Sequence, residues 1–330
     1  MSGLYPIALG TATYLGYSGY RKGSLSLDGA ISASVVGYAS MASPFVGYGL
    51  TLITFYLAGS KATKFKAQIK EQLESHASDA RRAPDQRASR DTSSGNRSAV
   101  QVLCNSATAV VACVAFRVLN RANDKVDPLS TASLTALEVG VHTCNVTNLA
   151  LTLIVAGHYA ACMGDTLASE LGILSKHPPR LVTNPLRKVP KGTNGAISPL
   201  GLAVSALGGT LIGLVTSASL LIHQHWHRSR SLYAFNVHAK LIALLTAAGL
   251  TGSLIDSLLG ATLQQTLYNR ATNKVLVGRV TNLLDPKKQD HPNAQCDVVT
   301  GWNLLDNNAV NLVASATTAL ATAWIGCSFF

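Results

Sequence analysis

Charged residues are scarce in this chain. Asp, Glu, Lys and Arg make up 13% of its 330 residues, about half of the roughly 25% that is usual in soluble domains. The apolar residues stand in long runs between charged loops, and are not spread as a soluble core would spread them. The composition therefore argues against an ordinary soluble protein and predicts a membrane protein.

Two kinds of motif are also missing. The six cysteines contain no Cys-x-x-Cys pair, so neither a zinc site nor a dithiol redox site is supported. Neither a Walker A pattern nor the motif set of protein kinases occurs. Any nucleotide would have to be held by a membrane-embedded architecture unlike those folds.

What the sequence does contain is a series of long apolar runs. A helix needs about 20 residues to cross a bilayer, and Gly, Ala, Ser and Thr allow membrane helices to pack closely. The runs that reach or approach this length are residues 100–120, 133–163, 199–223, 235–260 and 307–327. Residues 3–19 form an earlier span, and 29–58, interrupted by Ser43-Pro44, predict a hairpin of two short helices.

We therefore predict an all-α fold, a polytopic transmembrane helical bundle with about 6–8 membrane helices. Residues 1–330 form a single integral membrane domain in this interpretation. The polar loop at about 75–97, rich in Ser, Arg, Asp and Gly, is expected to be disordered. A multi-pass location in the endoplasmic reticulum or another endomembrane is favoured, with the chloroplast envelope as the alternative.

Counting spans places the polar loops that carry candidate motifs on one membrane face. The Lys and Arg residues of these loops indicate that this face is cytoplasmic. The loop on the opposite face is interpreted as a solvated interfacial loop and not as a metal site, because it lacks a nearby carboxylate. Its polar residues are His223, His225, His227, Arg228 and Arg230.

The formal net charge of +11 lies mainly in loops that flank the spans. Such a distribution suits the lipid bilayer with anionic headgroups, or phosphorylated ligands. We therefore expect no nucleic-acid partner.

Polar residues inside apolar spans are costly and are candidates for function. Gly249, Gly252, Asp256, Gly260 and Gln264 recur at intervals of three and four, which places them on one helical stripe. This stripe is either a ligand site or a tight helix interface in which Asp256 is hydrogen-bonded.

Further polar pairs lie at the same predicted face. Gln101 with Asn105, and Asn307 with Asn311, are four residues apart, and Lys61 with Lys64 are three apart. By contrast, Glu138 and His142 are predicted four residues apart near the middle of their span. They could relay a proton or satisfy each other, and the structural pairing is the favoured interpretation.

Asp165 is the centre of this predicted set. Ser169 follows it by one helical turn and His158 precedes it by two, so all three are expected on similar faces. Magnesium uses one or two carboxylates and completes its coordination with phosphate oxygens and water. Carboxylates near basic residues therefore suit a magnesium-bound polyphosphate.

The loop that follows Asp165 adds basic and flexible residues. Residues 192–195, Gly-Thr-Asn-Gly, could wrap backbone N–H groups around a phosphate, although such a tetrapeptide is most often only a turn. The basic residues of this loop are Arg180, Arg187, Lys188 and Lys191.

These residues together resemble a known family, the transmembrane protein 19 family of integral membrane proteins. The matching segments run in order over nearly the whole chain: 21–30, 59–64, 101–105, 158–159, 164–172, 188–195, 252–261 and 305–311. That family includes plant phytyl-phosphate kinase, and the Gly-Asp-x-x-Ala-Ser motif at 164–169 is also similar to that of phytol and dolichol kinases.

The resemblance implies transfer of a phosphoryl group from CTP or ATP, with Mg²⁺, to a prenyl or phytyl monophosphate. Asp165 and Asp256 would bind the metal, and Ser169 would belong to the catalytic set. Phosphate or nucleotide binding is assigned to Lys61, Lys64, Asn105, Arg180, Lys188, Gly192, Thr193, Asn194, Asn308 and Asn311. The alternatives are a transporter or scramblase of phosphorylated lipids, and a non-catalytic membrane protein.

Overall fold

The structure, a computed structural model, describes residues 5–65, 74–76, 96–120, 125–139, 142–226, 234–270, 272–277 and 296–330. Within these ranges the helices are α1 (Pro6–Arg21), α2 (Leu27–Met41), α3 (Gly47–Lys64), α4 (Ala99–Cys104), α5 (Ala107–Leu119), α6 (Asn148–Leu171), α7 (Pro199–Trp226), α8 (Phe235–Leu263) and α9 (Asn307–Gly326). The predicted helical membrane fold is confirmed, and α2 and α3 form the predicted helix pair.

Three of the described helices are long and apolar enough to cross a membrane: residues 199–225 of α7, α8 and α9. α5 is apolar but shorter. α6 has 24 residues, most of them buried, and packs against α3, α5, α7, α8 and α9. Because its neighbours shield it on most sides, α6 can carry polar residues that a lipid-facing helix could not.

The apolar core is built around α6. Its Leu149, Leu153, Tyr159 and Met163 are fully buried and pack in one cluster with side chains of the surrounding helices, including Phe116. The opposite faces of the outer helices expose large apolar side chains, as expected where lipid replaces water.

The predicted span at 133–163 is wrong in its first half. Strands β2 (Ser133–Val139) and β3 (His142–Thr147) form an antiparallel hairpin, and α6 begins only at Asn148. The Thr147 side chain caps that helix by accepting a hydrogen bond from the Ala150 N–H at 3.1 Å. Glu138 and His142 therefore lie on paired strands, with Glu138 opposite Thr143, and do not form a helical (i, i+4) pair.

The predicted span at 100–120 is interrupted. α4 ends at Cys104 and α5 starts at Ala107, so Asn105 and Ser106 form a break between two helices. The Ser106 hydroxyl donates to the carbonyl of Val102 at 2.8 Å, which satisfies an acceptor at the end of α4. The break places Asn105 at the junction, where its side chain can face the helices behind it.

The His-rich segment also differs from the predicted solvated loop. His223 and His225 belong to α7, and His223 is buried, with its Nε2 2.8 Å from the carbonyl oxygen of Val126. His227, Arg228 and Arg230 lie outside the described residues. Of the loop predicted at 75–97, residues 77–95 also lie outside them.

Short strands cover one end of the bundle. The remaining strands are β1 (Glu74–His76), β4 (Arg180–Leu181), β5 (Asn184–Lys188), β6 (Ala196–Ile197), β7 (Thr266–Asn269), β8 (Lys274–Val277) and β9 (Cys296–Thr300). They form one sheet in the order β1-β8-β7-β9 and another in the order β5-β4-β6. β1 runs parallel to β8, and the other pairs are antiparallel.

Glycines bring α6, α7 and α8 into backbone contact. A Cβ atom on Gly164 of α6 would lie 2.3 Å from the carbonyl oxygen of Gly249 on α8. A Cβ on Gly249 would in turn lie 2.6 Å from the Cα of Gly209 on α7. The three helices therefore cross at a distance that only glycine permits, one residue before Asp165.

Candidate functional site

Asp165 on α6 and Asp256 on α8 face one small cavity. Its volume is about 20 Å³, which is room for about one water molecule or ion. Both carboxylates are half-buried. The other polar side chains lining the cavity are Asn105, Cys162, Thr166, Asn311 and Ser315.

Asn311 lies between the Asp256 carboxylate and the break that separates α4 from α5. In one orientation of the Asn311 side-chain amide, its nitrogen faces the Asp256 carboxylate. That nitrogen then donates to Asp256 Oδ2 at 3.0 Å and to the Asn307 carbonyl at 3.2 Å. In the reverse orientation it donates to Asn105 Oδ1 at 3.3 Å. Asn311 therefore lies within hydrogen-bond reach of both Asp256 and Asn105, and the first orientation pairs donor with acceptor.

The positions of these side chains follow from local structure. The glycine crossing sets Asp165 and Asp256 on facing helices, and Gly252 sustains the close approach, since its Cβ would lie 2.5 Å from that of Ala161. On α9, Asp306 caps the helix by accepting a hydrogen bond from the Ala309 N–H at 2.9 Å. Asn311 consequently lies in the second turn of α9, level with Asp256.

The glycine-containing loop packs against the same end of α8. Gly192 and Gly195 have φ values of +88° and +73°, in the region that favours glycine. A Cβ on Gly195 would lie 2.5 Å from the carbonyl oxygen of Ser257, the residue after Asp256. Asn194 lies against Gly260, one turn beyond Asp256, and its N–H donates to Thr266 Oγ1 at 3.2 Å.

Thr193 has a local structural role in this loop. Its side chain is buried, and its hydroxyl donates to the carbonyl of Pro190 at 2.7 Å. The loop is therefore held beside the carboxylate end of α8, while its Asn194 side chain is half-buried.

Several predicted phosphate ligands do not line the carboxylate cavity. Lys61 and Lys64 are exposed at the end of α3, where the Lys64 ammonium donates to the carbonyl of Lys22 at 3.4 Å. Arg180 and Lys188 are exposed and opposite one another on β4 and β5. The Arg180 guanidinium donates to the carbonyl of Pro185 at 2.7 Å.

Ser169 and Asn308 also lie outside the cavity lining. Ser169 is exposed, and its hydroxyl donates to the carbonyl of Thr166 at 3.1 Å. Asn308 is half-buried in the first turn of α9. The structure thus brings four of the predicted residues together at the cavity (Asp165, Asp256, Asn105 and Asn311), and the rest remain predictions for a bound ligand.

His158 precedes this group on α6 and is fully buried. Its Nε2 lies 3.7 Å from the thiol of Cys162, and that thiol lies 3.9 Å from the carbonyl oxygen of Asn105. Cys162 therefore lies between His158 and Asn105, and it also lines the carboxylate cavity.

Arg97 is the main residue that sequence reasoning missed. Its guanidinium and the methyl group of Thr166 both lie against Gly59, 3.3 Å and 3.6 Å from the position that a Cβ there would occupy. Burial lowers the pKa of the Arg97 guanidinium, an effect that the neighbouring Tyr56 and Glu170 partly oppose. The sequence offered no signal, because Arg97 follows a Ser- and Arg-rich segment in which it resembles its neighbours.

The donors at the cavity fit a hard divalent cation. Among the described residues there is no group of three or more His, Cys, Asp and Glu side chains that could hold a metal alone. Asp165 and Asp256, with the amide oxygen of Asn105, are oxygen donors of the kind that Mg²⁺ prefers. Such a site would leave coordination positions for phosphate oxygens or water.

Comparison with known proteins identifies relatives over most of the chain. The family model of integral membrane protein DUF92 matches residues 10–319. Protein PGR of Arabidopsis thaliana is 33% identical over 312 residues, covering 94% of this chain and 92% of that protein. An uncharacterized membrane protein of Methanocaldococcus jannaschii, MJ0933, is 36% identical over 129 residues, 38% of this chain and 47% of that protein. No solved structure matches.

Proposed function

Because the chain belongs to the family of integral membrane protein DUF92, in which the transmembrane protein 19 proteins are grouped, we propose that it is a membrane-embedded isoprenoid-phosphate kinase. The reaction is transfer of a phosphoryl group from CTP or ATP to a prenyl or phytyl monophosphate. A phosphate oxygen of the acceptor attacks the γ-phosphorus of the donor, and the bond between that phosphorus and the β,γ-bridging oxygen breaks. The products are a lipid diphosphate and a nucleoside diphosphate.

The observation that carries this proposal is the pair of carboxylates at one cavity. Asp165 and Asp256 come from two helices whose backbones touch, so their separation is set by the glycine crossing. Phosphoryl transfer requires mainly correct positioning and neutralisation of phosphate charge. Bound Mg²⁺ would supply that neutralisation and bring donor and acceptor phosphates together.

The remaining residues have roles suited to their positions. Asn105 and Asn311 hold the cavity wall and offer amide groups to phosphate oxygens. Gly192, Thr193 and Asn194 form a loop beside the same end of α8. The exposed Arg180 and Lys188 lie on neighbouring strands and bind the triphosphate of the nucleotide in this proposal. Lys61, Lys64, Ser169 and Asn308 complete the proposed set at this end of the bundle.

The test is a product assay on purified protein in lipid nanodiscs. Labelled CTP or ATP is incubated with Mg²⁺ and farnesyl, geranylgeranyl or phytyl phosphate, and lipid diphosphate is separated by chromatography. We expect Asp165→Asn to lower turnover by at least about a hundredfold, because loss of a metal-binding carboxylate removes several kcal/mol of charge stabilisation. Thermal unfolding and membrane insertion should match the unsubstituted protein.

Failure of the unsubstituted protein to form lipid diphosphate would remove the kinase assignment, and full activity of the Asp165→Asn variant would remove Asp165 from the catalytic site. A transporter or scramblase of phosphorylated lipids, one of the two alternatives, predicts a different result. Vesicles containing the protein would then move an unmodified lipid phosphate across the bilayer without forming a diphosphate.

A further inference from the structure

An apolar cavity lies beside the carboxylate cavity, between α1, α2, α3 and the segment around α4. Its volume is about 80 Å³, four times that of its neighbour. Apolar side chains such as Ala12, Val36 and Phe55 line it from the first three helices. Its polar lining comes mainly from residues 97–106, at and around α4.

The two cavities adjoin at the break between α4 and α5. Asn105 lines both of them. Arg97, which lines the apolar cavity, has its guanidinium beside Gly59 and Thr166, and Thr166 lines the carboxylate cavity. The Arg97 guanidinium therefore lies at the boundary between the apolar cavity and the carboxylate cavity.

The backbone of Arg97 is fixed by the start of α2. Its N–H donates to the carbonyl of Ser24 at 3.1 Å, and its carbonyl accepts from the Ser26 N–H at 3.1 Å. The Asp28 carboxylate accepts a hydrogen bond from the Ala99 N–H at 2.9 Å, just beyond Arg97. These contacts anchor the residue at the helix ends and let its side chain reach inward, where it is partly buried.

We propose that the apolar cavity receives the part of the hydrocarbon tail nearest the phosphate of a lipid monophosphate, and that Arg97 pairs with that phosphate beside the carboxylate cavity. This inference rests on the proposed function and names where the acceptor lipid binds. An arginine guanidinium matches phosphate oxygens with two parallel hydrogen bonds and remains charged when partly buried.

The shape of the site favours a lipid over a small hydrophilic phosphate. A free phosphate would leave the apolar walls without a partner, whereas a tail would cover them. The outer faces of α1 and α2 expose Ile7, Tyr14 and Val35, as lipid-facing helices do. A lipid could therefore reach the cavity from the bilayer.

The test measures binding without nucleotide and without divalent cations, so that it does not depend on catalysis. Farnesyl phosphate and farnesol, each carrying a diazirine at the far end of the tail, are photolysed with the full chain in nanodiscs. Cross-links are then mapped by mass spectrometry. We expect cross-links from both probes in residues 6–21 and 27–41, and competition by unlabelled farnesyl phosphate but not by inorganic phosphate.

Two substitutions separate the head from the tail. Arg97→Gln should weaken binding of farnesyl phosphate at least tenfold and leave farnesol unchanged, with Arg97→Lys intermediate. Ala33→Phe, which narrows the cavity from α2, should weaken both probes by a similar factor. Val35→Phe adds the same kind of ring on the exposed face of α2 and serves as the matched control.

The inference is overturned if cross-links map elsewhere, if Ala33→Phe binds both probes normally, or if inorganic phosphate competes as well as the lipid. If Arg97→Gln does not fold, the cross-link map and the Ala33→Phe variant still decide. A protein that binds the lipid as described but forms no diphosphate would refute the kinase and retain this site. A protein that forms the diphosphate but still binds the lipid normally after Arg97→Gln and after Ala33→Phe would refute this lipid site and retain the kinase.

Discussion

At the scale of single residues, Asn311 connects the elements of the candidate site. Its amide reaches Asp256 in one orientation and Asn105 in the other. A hydrogen bond to a carboxylate contributes about 1.5–3 kcal/mol, and here it also holds the carboxylate in a defined direction.

We expect Asn311→Ala to reduce turnover by roughly tenfold to a hundredfold, since that range corresponds to the loss of one charge-assisted hydrogen bond. The initial rate of lipid diphosphate formation measures the effect. Val313→Ala removes an exposed apolar side chain two residues further along α9 and should retain the normal rate. Equal rates for both variants would mean that Asn311 does not position the carboxylate.

The sequence was informative about polar residues that interrupt apolar runs, because burying them in a membrane costs free energy. Asp165, Asp256, Asn105 and Asn311 interrupt apolar runs, and their spacing predicted a common site. Arg97 could not be found in this way, because an arginine in a polar segment carries no burial penalty that the sequence reveals. Only the fold shows that its guanidinium lies beside Gly59 and Thr166.

At the scale of elements, the glycine crossing of α6, α7 and α8 determines where the carboxylates stand. A methyl group on Gly164 would meet the Gly249 carbonyl oxygen at 2.3 Å, and backbone atoms cannot move aside as a flexible side chain can. Overpacking of this kind usually costs about 1–3 kcal/mol.

We therefore expect Gly164→Ala to lower the thermal unfolding temperature by several degrees and to reduce turnover by moving Asp165. Gly10→Ala is the matched control, because a Cβ at Gly10 of α1 has nothing within 4 Å. That substitution should leave the unfolding temperature unchanged or raise it slightly, since alanine favours helix more than glycine does. Unfolding followed in detergent by tryptophan fluorescence measures both; indistinguishable curves would contradict the close crossing.

Element boundaries were predictable only where apolar character ended with the helix. Residues 133–147 are largely apolar or β-branched and continue directly into α6, so hydropathy alone could not distinguish the β2–β3 hairpin from a helix. The break at Asn105 and Ser106 was hidden as well, because two polar residues within an apolar run are compatible with an unbroken span.

At the scale of the whole molecule, the candidate site lies at one end of the bundle. α6 and α8 end there, α9 begins there, and the β4–β6 strands and the 188–195 loop pack at that end. The start of α8 lies at the other end, where Phe235 is exposed and the Lys240 ammonium donates to the carbonyl of Phe329 near the end of the chain.

The basic loops predict that the end with the candidate site is cytoplasmic. In a cysteine-free variant, Lys188→Cys should react with a membrane-impermeant maleimide only from the cytoplasmic side. Phe235→Cys should react only from the opposite side. Sealed vesicles of known orientation provide the measurement, and the reverse labelling pattern would invert the assigned topology.

The backbone contact at Gly164 and Gly249 has an evolutionary consequence. Because the spacing of the two carboxylates depends on main-chain atoms, the lipid-facing side chains can diversify without altering the geometry between Asp165 and Asp256. The lipid-facing side chains could thus change to suit membranes of different composition while the carboxylates keep their positions.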